Sequence, residues 1–360
     1  MNTKIGLAPM EGVSDFPLRL CMHWAARPDF LSTPFLRLTE TFPNEVPMLW
    51  APELFHPLVK EVTTYKLTPQ LMTPSADFFV STVRRFFAEF PKVELNCGCP
   101  SKKVLGHGSG SSLLQSVDIF HKMVRSINSH LKPGQLAIKM RTGFDDDSLF
   151  TDLYQSLADV PLAHLTIHGR TKEQRYTGLA NWELIGKAAQ NLSTDTIGSG
   201  DIVDGPSFLS RMELAPEVQA VMIGRGALRN PWIFAELRSE PVQISEALVF
   251  EFLRAFALLT ESYAQDPEKL LNWIGQHADI FTRPPLDQYK EWHEINLKLL
   301  PLLNVRSFED IAFSKPTFGR VKMLWCYLQD LDMFSSRLER RLALRSAHVH
   351  AFFQILGSTP

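Results

Sequence analysis

Asn96, Cys97 and Cys99 stand almost side by side, and each carries a group that can hold or move a proton. They close the run Glu94-Leu95-Asn96-Cys97-Gly98-Cys99-Pro100-Ser101, in which Val93 and Leu95 begin a short apolar, strand-like stretch. A buried strand that stops at an Asn/Gly/Cys/Pro cluster displays its last side chains at the mouth of a sheet or barrel, where chemistry is done. Two cysteines one residue apart could also begin a metal site. A lone Cys-x-Cys lacks two further ligands at suitable spacing, however, so no metal is expected. Cys97 then reads as a small packed residue.

Elements must exist to hold that cluster. Eight β-like runs occur at Lys4–Ala8, Phe30–Thr33, Tyr65–Met72, Val93–Asn96, Leu136–Met140, His164–His168, Thr194–Ser199 and Ala220–Ile223. Amphipathic segments such as Phe78–Phe90, Val117–His130 and Phe150–Leu157 lie between them. Count and spacing predict an α/β fold, a (β/α)8 TIM barrel. An open doubly wound sheet normally carries a glycine fingerprint after its first strand. Here Ala8-Pro9-Met10-Glu11-Gly12 follows instead.

Catalytic groups of a barrel sit at strand C-terminal ends. Those ends present Pro9, Met10 and Glu11, then Gln70, Asn96 with Cys99, Lys139 with Arg141, His168, Ser199-Gly200-Asp201 and Gly224-Arg225. Gly-rich turns after strands seven and eight cradle phosphate with backbone N–H groups, so a phosphorylated cofactor or substrate is expected there. Lys139 points inward from the fifth strand. Glu11 either orients the first loop or faces the ligand.

Beyond about residue 240 the β-like runs stop. Ser245–Gln265 has helical spacing, and helices are expected at Phe318–Met333 and Ser336–Phe353. The chain therefore divides into a barrel domain, 1–240, and a smaller all-α helical domain, 241–360, with an insertion around 266–315. Lys269–Phe281 and Leu286–Leu302 look helical within that insertion. Lys315–Arg345 carries seven Lys/Arg against three Asp/Glu, on a chain of net charge −2. Such a basic helical segment either holds a polyanion or is a solvated face. Four cysteines in 360 residues are no disulfide framework and suggest a reducing compartment. Cys21 and Cys326 read as core thiols. With no signal-peptide pattern and no apolar run of about 20 residues, a cytoplasmic protein with no membrane contact is expected.

The motifs together resemble the tRNA-dihydrouridine synthases. They are Leu7-Ala8-Pro9-Met10-Glu11-Gly12-Val13, Leu95-Asn96-Cys97-Gly98-Cys99-Pro100-Ser101, Ile138-Lys139-Met140-Arg141-Thr142-Gly143, Ile167-His168-Gly169-Arg170-Thr171-Lys172-Glu173-Gln174 and Ile223-Gly224-Arg225-Gly226-Ala227. Their wording is most similar to the bacterial C-type subfamily, which acts on uridine 16 of the D-loop. The resemblance implies FMN in the barrel mouth, NADPH as reductant, hydride delivery to C6 of a uracil, and Cys99 as proton donor to C5. A thiol of ordinary pKa, about 8.5, is mostly protonated near neutrality and can donate. The resemblance further implies that Pro9, Met10 and Gln70 contact the flavin ring, with Lys139 and His168 also on the flavin. Its phosphate would lie on the turns at Ser199–Asp201 and Gly224–Arg225. Asn96 and Arg141 would face the substrate nucleotide, and Arg37, Arg320 and Lys322 would contact tRNA. A monomer is expected.

Three features depart from the family pattern. Ser199 stands where Asn is usual, Leu71-Met72-Thr73-Pro74 lacks a glycine often found after Gln70, and 266–315 is outside the subfamily pattern. Other readings compete: an FMN barrel acting on a free pyrimidine or other small molecule, which needs no basic helical domain; the same enzyme acting at a different D-loop position; and a non-catalytic tRNA-binding or folding module, against which Cys99, Lys139 and the Gly224-Arg225 turn argue.

Overall fold

The computed structural model describes residues 3–38, 48–63, 66–100, 108–282, 288–328 and 343–357. Ser101, the end of the expected helix Phe318–Met333 (329–333) and the start of the expected helix Ser336–Phe353 (336–342) lie outside the described residues. The chain forms two compact units, one of Met1–Gly12, Pro28–Val46 and Lys66–Gly224, the other of Val13–Arg27, Pro47–Tyr65 and Arg225–Pro360.

The first unit is built on ten parallel strands: β1 Lys4–Leu7, β2 Phe30–Ser32, β3 Leu36–Arg37, β4 Lys66–Thr68, β5 Gln70–Met72, β6 Val93–Cys97, β7 Leu136–Gly143, β8 His164–Thr171, β9 Thr196–Ser199 and β10 Ala220–Ile223. Their order is β3-β5-β6-β7-β8-β9-β10-β1-β2-β4. The two ends of that order are one seam. β2 runs into β3 across Pro34, and β4 runs into β5 across Pro69. Proline has no N–H to give a ladder, so each strand is cut in two. Across the cut, the Thr33 N–H reaches the Thr68 carbonyl at 3.0 Å, and the Gln70 N–H bonds the Thr33 hydroxyl at 2.9 Å. β2 pairs with β4 and β3 with β5, so eight continuous strands close a ring. This is the expected (β/α)8 barrel.

Helices between the strands start where the sequence supplies a cap. Ser116 accepts from the Ile119 N–H ahead of helix Val117–Asn128, Asn181 from the Leu184 N–H ahead of Trp182–Asn191, and Asp204 with Ser207 makes a capping box for Gly205–Leu214. Helix Val117–Asn128 turns Phe120, Met123, Val124 and Ile127 inward, the i, i+3, i+4, i+7 stripe of an amphipathic helix.

The second unit is helical. Its centre is helix Glu246–Gln265, capped by Ser245, with Phe252, Phe256 and Leu259 buried along one stripe. The stretch expected as an insertion is part of this core: Trp292 of helix Gln288–Leu299 lies 3.9 Å from Trp24 and 5.3 Å from Phe252, ring centre to ring centre. Asn296 also donates to the Glu251 carboxylate at 2.7 Å. Helix Lys315–Leu328 buries Val321, Leu324, Trp325 and Leu328. That stripe leaves Cys326 on the opposite face, exposed rather than in the core as expected, whereas Cys21 is buried. The helix expected to run unbroken to Phe353 is interrupted near Ser346, whose hydroxyl turns back to the Ala343 carbonyl at 2.6 Å, and helix restarts at Val349–Gly357.

Candidate active site

The strands of the barrel fill its interior with two kinds of residue. Ala8, Ile197, Ala220 and Met222 form an apolar cluster with Phe30 packed against it. A Cβ at Gly6 would fall 2.4 Å from the Phe30 ring, so that glycine leaves the room the ring occupies. The strands β5 to β8 contribute Gln70, Glu94, Asn96, Lys139, Arg141, His164 and His168 instead.

Those polar residues are joined in a line. His164 Nε2 lies 3.4 Å from Glu94 Oε2. Glu94 Oε1 accepts from Gln70 Nε2 at 2.5 Å, Gln70 Oε1 accepts from Asn96 Nδ2 at 2.7 Å, and Asn96 Oδ1 accepts the N–H groups of Gly98 and Cys99, each at 3.0 Å. Asn96 thereby shapes the turn that ends β6 and presents Cys99, which is half-buried and forms no disulfide. On the other side of the turn, Ser111 Oγ donates to the Cys99 carbonyl at 2.9 Å.

Burial sets the charges. Glu94 is wholly buried, and burial pushes its carboxyl up. The bonds from His164 and Gln70 and the charge of Lys139 outweigh that and hold it below the ordinary carboxylate value. Lys139 stands beside Asn96 in register. Burial pulls its ammonium down to about 8, with Glu94 opposing and Arg141 adding to the fall. The Cys97 thiol is pushed far up by burial and by Glu94, so it stays protonated and inert, a packing residue as its sequence context suggests.

Arg141 is expected at the substrate. Its guanidinium instead bonds three carbonyls, Gly98 at 2.9 Å, Thr171 at 2.7 Å and Arg175 at 3.0 Å, tying the Cys99 turn to the loop after β8. It also lies 5.7 Å from the centre of the Tyr176 ring, which is exposed and 6.4 Å from His168. His168 is in turn 3.4 Å from Arg170 Nη1. Arg170, buried, grips both carboxylate oxygens of Asp201, at 2.6 and 2.7 Å.

Ser199 and Gly200 end β9. The Ser199 hydroxyl donates to the Met222 carbonyl at 2.9 Å, and the Gly200 carbonyl accepts from Trp182 Nε1 at 2.9 Å. Gly200 has φ +128°, and a Cβ there would meet Ala180 at 2.5 Å, so no other residue fits. With the Asp201 carboxylate held by Arg170 and by the Ala180 N–H at 2.7 Å, this turn can offer an anion its main chain only. Pro9 and Met10 are half-buried and Glu11 exposed at the end of β1. Gly224 ends β10 near the Ala8 methyl and the Met10 sulfur, and Arg225 opens the short helix Arg225–Arg229. Arg37 ends β3 and is half-buried.

Arg320 and Lys322, expected to meet tRNA, are engaged within the helical unit. Arg320 pairs with Asp15 at 2.7 Å and donates to the Val13 carbonyl at 2.7 Å; Lys322 donates to the Ser346 carbonyl at 2.8 Å. Four residues of the barrel site escape sequence reasoning: Glu94, His164, Arg170 and Tyr176. A carboxylate inside an apolar strand is the available signal for Glu94. His164 opens its strand, so a search of strand ends passes over it.

The family model described as Dihydrouridine synthase (Dus) matches residues 6–298. The chain belongs to the dihydrouridine synthase family. A dihydrouridine synthase is an oxidoreductase, and the thiol, buried lysine and histidine described above are gathered in the part of the chain that the family model spans. The chain is 32% identical over 241 residues to the tRNA-dihydrouridine(16) synthase of Shigella flexneri, covering 63% of this chain and 73% of that protein. It is 29% identical over 302 residues to the enzyme of the same name from Yersinia pestis, covering 78% and 91%. It is also 35% identical over 191 residues to the tRNA-dihydrouridine(47) synthase [NAD(P)(+)]-like protein of Xenopus laevis, covering 52% of this chain but only 29% of that longer relative.

Proposed function

We propose that this dihydrouridine synthase reduces the C5–C6 bond of a uridine in tRNA, uridine 16 of the D-loop, with FMN in the barrel mouth and NADPH as reductant. The observation that carries the reading is the pairing of the half-buried Cys99 turn with a buried, cationic Lys139 in register with Asn96. Relatives named for position 16, one of them covered over 91% of its length, favour that position.

The residues fit a flavin. Bound FMN supplies hydride transfer, which no side chain can perform. A desolvated ammonium such as Lys139 favours an anionic partner, so Lys139 stabilises negative charge gathering at the flavin ring. Gln70, Pro9, Met10 and His168 are the residues that would hold the flavin ring. Main-chain N–H groups of the turns at Ser199–Asp201 and Gly224–Arg225 would hold the phosphate, since the Asp201 carboxylate is committed to Arg170. Cys99 gives its proton to C5 of the uracil from the face opposite the hydride. Tyr176, exposed beside His168 and Arg141, offers a ring on which a uridine drawn from its stack can lie. Arg37 meets the tRNA backbone. Arg320 and Lys322 serve tRNA binding by holding the helical unit in shape.

Purified protein should be yellow and release FMN; a colourless, folded preparation would remove the cofactor. Cys99→Ala should keep FMN and tRNA binding and lose dihydrouridine formation by about 10²–10⁴-fold, the span of a general-acid contribution. Turnover like that of the parent would take Cys99 out of its role. Mapping the dihydrouridines missing from tRNA of a deletion strain tests the position: loss at 16 is expected, and loss elsewhere, at 47 for example, would reassign it.

A further inference from the structure

We propose that Glu94 is a positioning residue: its carboxylate sets the direction of the hydrogen-bond line through Gln70 and Asn96 and so fixes the turn that presents Cys99. The inference rests on the reading of Cys99 as the proton donor only for its consequence in turnover; the positioning itself is read from the bonds.

The argument is one of donors and acceptors. A primary amide has an oxygen that accepts and a nitrogen that donates, and a 180° flip exchanges them at almost no steric difference. Gln70 and Asn96 are both such groups, buried and placed in series. Left to themselves they could run in either direction. In the reverse direction, Asn96 would aim its NH2 at the N–H groups of Gly98 and Cys99, donor against donor, and the turn would lose both bonds. An ionised carboxylate removes the choice because it only accepts. Glu94 compels Gln70 to present Nε2 to it, at 2.5 Å. Gln70 Oε1 is then left to face Asn96 Nδ2 at 2.7 Å, and Asn96 Oδ1 to face the two backbone donors at 3.0 Å.

The carboxylate is kept ionised by its surroundings. His164 stands 3.4 Å from its second oxygen, and Lys139, two residues beyond Glu94's register partner Ala137, faces it with a positive charge. Burial makes the device effective, since these side chains are withdrawn from bulk solvent and each unmet donor is expensive. The same run therefore holds three functions in close succession: Glu94 aims the amides, Asn96 shapes the turn, and Cys99 stands at its tip.

The test reads the turn itself. Cys99 is alkylated with iodoacetamide over a range of pH, and the modified peptide is followed by mass mapping, which separates it from exposed Cys326. Glu94→Gln and Asn96→Ala should each change the Cys99 rate by about tenfold. The double variant should differ from Asn96→Ala by less than about twofold, because both act through one line. The exchange Gln70→Glu with Glu94→Gln keeps an acceptor-only group in the line, now next to Asn96. It should bring the alkylation rate back towards the parent value. An unchanged rate in Glu94→Gln, additive effects in the double variant, or no recovery in the exchange would each overturn the proposal; additivity would show that Glu94 acts through Lys139 instead. Should Glu94→Gln not fold, hydrogen exchange at the Gly98 and Cys99 amides of the parent protein decides: both are expected to be protected, and free exchange overturns the proposal. None of these readouts needs dihydrouridine formation, so loss of the catalytic reading of Cys99 would leave them intact and separately interpretable.

Discussion

The barrel interior has an apolar half and a polar half, and they obey different rules. Ala8, Ile197, Ala220, Met222 and Phe30 touch one another and ask only for volume. A void there loses transfer and dispersion energy and leaves the chemistry alone. Gln70, Glu94, Asn96, Lys139 and His164 lie on the neighbouring strands β5 to β8, and each needs a partner of a given kind. Removing one of them leaves another buried and unmet. The apolar half contributes packing, while the polar half holds charged and amide groups in fixed pairs. Stability and turnover should therefore separate along that line.

The sharpest break would come at Lys139. Lys139→Met keeps the length and removes the charge, and turnover should fall by about 10²–10³-fold with the fold intact, the scale of losing one preorganised electrostatic group. A variant with parental turnover would sink the electrostatic role. On the apolar side, Met222→Ala should cost about 2–5 kcal/mol in urea unfolding while turnover per folded molecule stays within about twofold. A selective loss of turnover would blur the division between the halves.

The pH dependence is the next smaller effect. Lys139 titrates at about 8 in the folded chain and near its usual 10.5 when unfolded. Between those values the unfolded chain binds more protons, so stability rises with pH. Below about 8 the penalty for burying the ammonium is present in full; above 10.5 it is gone. In FMN-free protein the gain from pH 8 to 9.5 should be about 1–2 kcal/mol, and Lys139→Met should abolish it. An equal slope in both proteins would mean that Lys139 is not the group responsible. Smallest of all, Cys97→Ala should keep turnover and lower stability by about 1 kcal/mol, in contrast to its neighbour Cys99. A large loss of turnover would return Cys97 to the chemistry.

Much of the barrel and its site is legible in the order of the amino acids. Hydrophobic runs at barrel spacing mark all eight strands, although the runs at Leu136–Met140 and His164–His168 stop three residues short of the ends of β7 and β8 and the run at Phe30–Thr33 leaves out β3, and the strand-end rule names Gln70, Asn96, Cys99, Lys139 and His168 as candidates. The ordered motifs point to the family that the family model over residues 6–298 shows. The misses have physical causes. Residue type places Cys326 in the core, but helical phase turns it outward. Arg320 and Lys322 read as surface cations, yet the Val13 and Ser346 carbonyls claim them, partners 307 and 24 residues away in sequence. The helix to Phe353 breaks near Ser346 because a serine hydroxyl competes for a backbone carbonyl.

The sequence by itself determined the period, the strand count and the family, since these depend on local order and residue type. Tertiary structure alone decided which neighbour each polar group answers to. Glu94 looks like an ordinary charge within a strand until β5, β7 and β8 bring Gln70, Lys139 and His164 around it. Donor and acceptor direction is a property of pairs, and pairs distant in sequence exist only once the ring has closed.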